Sequence, residues 1–178
     1  MDFSIKEIEP AEFACVVDYF LNASDDFLAG MGVDRNKFWP REKWLDLMDK
    51  EYKKDIEQKE LYFLIWQVNN RSIGHSNINK IVFGKEAYTH MHIWHPEYRK
   101  KGVGESLVKL CLGRYFELFK LETIFCEPYA LNPGPNRVLE LLGFEFIKQY
   151  ETIPGWTAFH QPVNRWAMSR EKYYSLNG

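Results

Sequence analysis

The chain reads as an α/β domain built on a mixed, mostly antiparallel sheet of six to seven strands flanked by helices. Three observations predict this. Strand-like segments recur through the first half, and two of them, Leu61 to Val68 and Ser72 to Ile81, close on an Asn69-Asn70 turn, the pattern of an antiparallel hairpin. A strand, a turn rich in glycine and basic residues, a helix and another strand follow, which makes a crossover. With 178 residues, 46% of them hydrophobic, a single core is comfortable. No repeat, low-complexity tract or linker divides the chain, so residues 1–178 are expected to form one domain.

The elements follow in order. Phe3 to Ile8 alternates as a first strand, and Pro10 opens a helix to about Asn22. A loop with Gly30 and Gly32 leads to Pro40, which starts a long helix to about Glu57 with Trp44, Leu45, Leu47, Met48, Tyr52 and Ile56 forming much of one face. Leu61 to Val68 and Ser72 to Ile81 form the hairpin, and Ala87 to Trp94 the next strand. A helix opening at Gly104 and running to Phe119 follows. Thr123 to Glu127 is then a strand, Pro135 to Leu142 a helix, and Phe144 to Tyr150 and Arg165 to Ser169 complete the sheet.

Composition excludes several classes. No apolar run approaches the length of a membrane span, and Met1 to Lys6 lacks the basic start and apolar core of a signal peptide, so a soluble cytoplasmic protein is expected, without a membrane partner. Residues 1 to 60 carry fifteen acidic and nine basic side chains, the remainder ten and fourteen. A negative front suits a cationic partner and a positive remainder a polyanionic one; solvated helix surface is the plainer reading of the front. There is no basic helix or broad basic stripe for nucleic acid. Cys15, Cys111 and Cys126 stand in apolar contexts and read as reduced core thiols, and no His or Cys pair has zinc spacing, so no metal is expected.

The segment Tyr98-Arg99-Lys100-Lys101-Gly102-Val103-Gly104 carries the most chemistry. It lies between a strand and a helix, where Gly102 and Gly104 permit close backbone approach and the first N–H groups of the helix suit a phosphate. Arg99, Lys100 and Lys101 add positive charge. Downstream come Asn132, then Asn136 to Leu142 and the pair Gly143-Phe144. The spacing R-x-x-G-x-G, followed by that asparagine, short helix and Gly-Phe, resembles the GCN5-related N-acetyltransferases over about residues 60 to 170.

The resemblance implies the acetyltransferase (GNAT) fold with splayed central strands, acetyl-CoA as cosubstrate, and direct attack of an amine on its thioester. It places acceptor-binding helices in residues 1–60 and the acyl-CoA core in 61–178. Backbone groups of Ile93 and Trp94 pair with the pantetheine arm, Arg99 through Gly104, Val103 included, hold the pyrophosphate, and Asn132 bonds the arm or caps the next helix. The acceptor is a small-molecule amine or a peptide amino terminus. A catalytically idle acyl-CoA sensor or interaction module on the same fold is the alternative. A nucleotide-binding protein is disfavoured, since Gly102-Val103-Gly104 lacks the third fingerprint glycine.

Candidates for proton transfer must face the cleft. His90, His92 and Trp94 share one strand face by alternation, and Glu127 ends the adjacent strand. His92 is the first choice for base, because an ordinary imidazole titrates near neutrality; packing alone is the other reading. Glu127 takes the proton, binds the substrate cation, or is merely an exposed strand end. Many relatives protonate the thiolate with a tyrosine where this chain has Leu139, and another branch has a serine where it has Pro135, so Tyr129 is the nearest replacement acid, or simply packs. The segment Thr152 to Pro162 is long for a hairpin connection. It is expected to cover the acceptor end, with Trp156 on the substrate, or to serve as a homodimer contact.

Overall fold

The computed structural model describes residues 1–178. Seven strands form one mixed sheet: β1 (Phe3–Glu7), β2 (Leu61–Val68), β3 (Arg71–Val82), β4 (Glu86–Ile93), β5 (Thr123–Cys126), β6 (Glu145–Thr152) and β7 (Gln161–Ser169). Their spatial order is β1-β2-β3-β4-β5-β7-β6, antiparallel except for the parallel pair β4–β5. The turn between β2 and β3 holds Asn69 and Asn70 at φ 49° and 63°, the left-handed conformation that asparagine tolerates.

Helices cover both faces. Against one lies α4 (Val103–Leu118), whose Leu107, Val108, Cys111, Leu112, Tyr115 and Phe116 pack on Tyr62, Leu64 and Trp66 of β2. Against the other lie α1 (Phe13–Leu21) and α3 (Arg41–Lys53), which bring Val16, Val17, Trp44 and Met48 onto Phe63 and Ile65. Burial on both faces explains why β2 is an unbroken apolar run rather than an alternating one. The Tyr115 hydroxyl donates to Ser76 Oγ at 2.9 Å, so this fully buried ring has a partner.

Several boundaries differ from the sequence-based expectation. Residues Asp25–Gly30 form a short helix, α2, where a loop was expected; Ser24 Oγ accepts from the Phe27 N–H, and Asp25 and Asp26 complement the helix dipole. The helix α3 stops at Lys53, not Glu57. The Lys59 ammonium donates to the carbonyls of Glu51 and Tyr52, while the buried Glu51 carboxylate accepts from the N–H groups of Glu60 and Leu61. The chain closes with α5 (Pro133–Leu141) after β5 and α6 (Arg170–Asn177) after β7, the latter not foreseen. Cys15 is exposed, correcting the core assignment, whereas Cys111 and Cys126 are buried.

One feature of the register positions the site. β4 pairs with β3 out to Ile93, but with β5 only through Glu86↔Thr123, Ala87↔Ile124 and Tyr88↔Phe125. Beyond Tyr88 the two central strands part, as the splay requires.

Candidate active site

After β4 a single 3-10 turn, Pro96–Tyr98, leads into the glycine-rich segment and α4 begins at Val103. Gly102 is the N-cap at φ 72°, a conformation costing an L side chain about 1–2 kcal/mol. Gly104 serves differently. A Cβ there would meet Val138 Cγ2 at 3.7 Å and Ile93 Cδ1 at 3.9 Å, ordinary contacts, so the protein itself has room for one. Its bare face lies between α4, the end of β4 and α5, beside the free N–H groups of the helix start. Val103 turns inward and is fully buried, which leaves only its backbone for a ligand, while Lys100 and Lys101 are exposed. A phosphate fits this cradle.

Arg99 does not point into the cradle. Its guanidinium donates to the Ile93 carbonyl, Nη2 at 2.8 Å, and stands over the Phe27 ring of α2 at 4.6 Å. The expected charge contribution is thus directed at β4 and α2 instead, because the 3-10 turn brings residue 99 back beside the strand end.

Hydrogen bonds show which backbone groups border the gap. The His90 carbonyl accepts from Ser76 Oγ, and the Trp94 N–H donates to the Ile73 carbonyl, so even-numbered positions face β3. The Thr89 carbonyl accepts from Cys126 Sγ and the Ile93 carbonyl from Arg99, so odd-numbered positions face the gap. Ile93 thus borders the gap, with its carbonyl held by Arg99. Trp94 is corrected: its N–H is used by β3, and Met91, not singled out from sequence, takes the gap-facing role by alternation.

Across the gap, Asn132 is the N-cap residue of α5, yet its side chain makes no capping bond and keeps its polar atoms free. The structural work falls to Asn136, whose Nδ2 donates to the carbonyls of Tyr129 and Asn132 and whose Oδ1 accepts from Asn164 and Trp166. Tyr129 packs edge-on against Phe159 at 5.7 Å and its hydroxyl has no partner within the protein.

His92 lies on the face covered by α1, with ring centroids 5.5 Å from Tyr19, 5.0 Å from Phe20 and 4.8 Å from His75. Burial, then repulsion from His90 and Arg99, lowers its pKa to about 3; burial and Lys80 take His90 to about 4. Both rings are neutral at pH 7, so the expectation of a base titrating near neutrality is not met. Glu127 is not the exposed strand end either. Its side chain is 7% exposed, and Oε1 accepts from the Tyr150 hydroxyl at 2.5 Å and from Arg165 at 3.3 Å. Arg165 also donates to the Tyr88 hydroxyl and lies over the Phe125 ring. Burial pushes the thiols of Cys111 and Cys126 up to about 12, which removes them as nucleophiles.

The connection between β6 and β7 docks on the segment after α2. Asp34 N–H donates to the Thr157 carbonyl, Lys37 to the Ala158 carbonyl, and the Gln161 amide to the Gly32 carbonyl. Trp156 stacks on Trp39 at 4.2 Å and meets Trp44 edge-on at 5.1 Å, yet stays 41% exposed. This clasp closes over the His92 face of the sheet.

A strand pair that parts beside a glycine-capped helix start is a place for an extended, phosphate-bearing thioester. The sequence model of the Acetyltransferase (GNAT) family matches residues 28–144. The chain belongs to that family. Its reaction is transfer of an acetyl group from acetyl-CoA, the cosubstrate, to an amine. A spermidine N-acetyltransferase from Vibrio cholerae in complex with CoA and spermine has the same fold, with a TM-score of 0.78 at 17% identity, covering 97% of this chain and 98% of that one. Mutant forms of the spermidine/spermine N-acetyltransferase from the same organism give 0.77 at 16%, covering 99% and 98%. A dodecameric structure of the enzyme in an intermediate state gives 0.75 at 16%, with the same coverage. No curated protein matches the chain. No helix is long and apolar enough to cross a membrane.

Proposed function

We propose that this acetyltransferase acts on the primary amino group of a small cationic amine rather than on a peptide amino terminus. The observation that carries the choice is the clasp: the connection containing Trp156 is bonded to residues 32–37 and so covers one end of the acceptor side. The acidic excess of residues 1–60, which build that side, favours a cation. The spermine complex of the structural neighbour points the same way.

The amine nitrogen attacks the thioester carbonyl carbon, a C–N bond forms, and the C–S bond breaks with its electron pair leaving on sulfur. Gly102, Val103 and Gly104 present backbone donors to the pyrophosphate, with Lys100 and Lys101 adding charge; Met91, Ile93 and Asn132 line the arm. Neither His92 nor Glu127 takes the amine proton, one being held neutral beneath α1, the other paired with Arg165. The amine enters in its neutral fraction, about four parts in ten thousand at pH 7 for a pKa near 10.4. Tyr129 hands a proton to the departing thiolate, and the proton lost from nitrogen restores it through water. Trp156 packs along the acceptor.

Copies of the chain pair through β6, an edge strand exposing Phe146 and Ile147, a proposal checked by sedimentation of the wild type and of Ile147→Lys. Thiol release from acetyl-CoA with polyamines, aminoglycosides and peptides tests the acceptor. Turnover confined to peptides would overturn the assignment, and binding of acetyl-CoA without turnover on any amine would favour the idle sensor.

A further inference from the structure

His75 is 1% exposed, and its Nδ1 lies 2.8 Å from the indole Nε1 of Trp94. Indole nitrogen only donates. His75 Nδ1 must therefore be the acceptor, and the neutral ring carries its proton on Nε2. That Nε2–H is buried without a partner. So is Nδ1 of His92, on a ring stacked against His75 at 4.8 Å and 24°. The two unsatisfied atoms are complementary: one is a donor by necessity, and the other satisfies it only as an acceptor. Stacked rings hold their nitrogens in near-parallel planes and cannot bond to each other directly, so one bridging water at the ring edges joins them, since a buried polar atom left unpaired is costly.

With Nδ1 fixed as an acceptor, the neutral ring of His92 has its proton on Nε2, the nitrogen outside the buried set, at the end of β4 where β5 no longer pairs. The groups around it are Tyr19 and Phe20 from α1, His75 from β3, His90 on its own strand and Arg99 from the turn. None of these accepts the Nε2 proton.

We propose that His92 is a neutral hydrogen-bond donor rather than a base, that its Nε2–H stabilises the negative charge developing on the thioester carbonyl oxygen, and that His75 and Trp94 are positioning residues that set its tautomer. The proposal rests on the acetyl-transfer reading above. During attack the carbonyl π electrons move to oxygen, His92 donates a hydrogen bond without giving up its proton, and the electrons return as the C–S bond breaks. Resistance of the ring to protonation suits this role, since an imidazole that stays neutral keeps one tautomer through the cycle.

The test is nitrogen-15 NMR of the imidazoles in the CoA-bound protein between pH 6 and 9, together with kinetics. His92 and His75 should both show a protonated Nε2 and an unprotonated Nδ1 across this range. Trp94→Phe should free the His75 tautomer and lower kcat with the KM for acetyl-CoA within about threefold. His92→Ala should lose about 10²- to 10³-fold in kcat, and His92→Gln, whose amide donates, should recover part of it where His92→Glu does not. A protonated Nδ1 on His92, a charged ring at pH 7, or equal loss in His92→Gln and His92→Glu would overturn the proposal. If Trp94→Phe fails to fold, the spectra of the unmodified protein still decide the tautomer. Failure of every amine to turn over, with the tautomers as stated, would count against the acetyl-transfer reading instead.

Discussion

Replacing Glu127 by Gln separates a structural carboxylate from a catalytic one. In the structure this side chain is 7% exposed and its Oε1 accepts from Tyr150 and Arg165, while Arg165 is 24% exposed and keeps its bond to Tyr88. The amide oxygen of Gln retains the Tyr150 bond but loses the ion pair. Hydrogen bonds to charged groups contribute about 1.5–3 kcal/mol, and the change should fall at the lower end because Arg165 keeps a second partner. For a chain of this size each kcal/mol moves Tm by about 2–4 °C, so a drop of about 3–6 °C is expected. The assays are thermal unfolding and thiol release on the same preparation. A structural carboxylate gives the loss in Tm with kcat/KM reduced less than about tenfold. An unchanged Tm with a loss of a hundredfold or more would refute it and make Glu127 the base.

Three further outcomes follow from the same geometry. Gly104→Ala should leave Tm unaltered, since its Cβ has only ordinary contacts, yet weaken CoA binding in calorimetry, whereas Gly102→Ala should lower both because of the φ of 72°; unchanged CoA affinity in both variants would remove the basis for the cradle. His75, His90 and His92 are held neutral in the fold, with pKa values depressed from 6.5, so their contribution to stability is complete above about pH 6.5 and is lost as the pH falls toward 4 and 3. The unfolding free energy from urea titration should therefore decline by up to about 1.4 kcal/mol per pH unit per histidine below that point, and a flat profile down to pH 5 would contradict the desolvation of these rings. Trp156→Ala should raise the KM for the amine severalfold and leave that for acetyl-CoA unchanged in steady-state kinetics, because the stack on Trp39 borders only the acceptor side.

Seven strands were legible because side-chain alternation and an Asn-Asn turn are local signals, and the glycine-basic turn was legible because its backbone demand is met by residue types. What escaped depends on pairing at a distance. The edge of β4 that borders the gap is set by its register with β3, visible in the Trp94 to Ile73 bond, and side-chain periodicity carries no information about it. Arg165 lies 38 residues beyond Glu127, so the ion pair that occupies the carboxylate has no sequence signature. The indole bond from Trp94 to His75 joins positions 19 apart in neighbouring strands. The short helix α2 was hidden by Gly30 and Gly32, although Ser24-Asp25-Asp26 was a readable capping signal. The packing of α1 over the strand sets Tyr19 and Phe20 against the His92 ring, and this desolvation reverses the expectation drawn from the free imidazole.

On the proposed function, the acceptor side takes a small amine in its neutral form, and no residue with a pKa near neutrality takes its proton. The pH dependence of kcat/KM for thiol release, measured with amines of different pKa, tests this most directly. The profiles should rise with pH toward the pKa of each amine and shift with it, with no inflection between about pH 6 and 8 in the unmodified protein. An inflection in that interval, the same for every amine and abolished in His92→Ala, would contradict it.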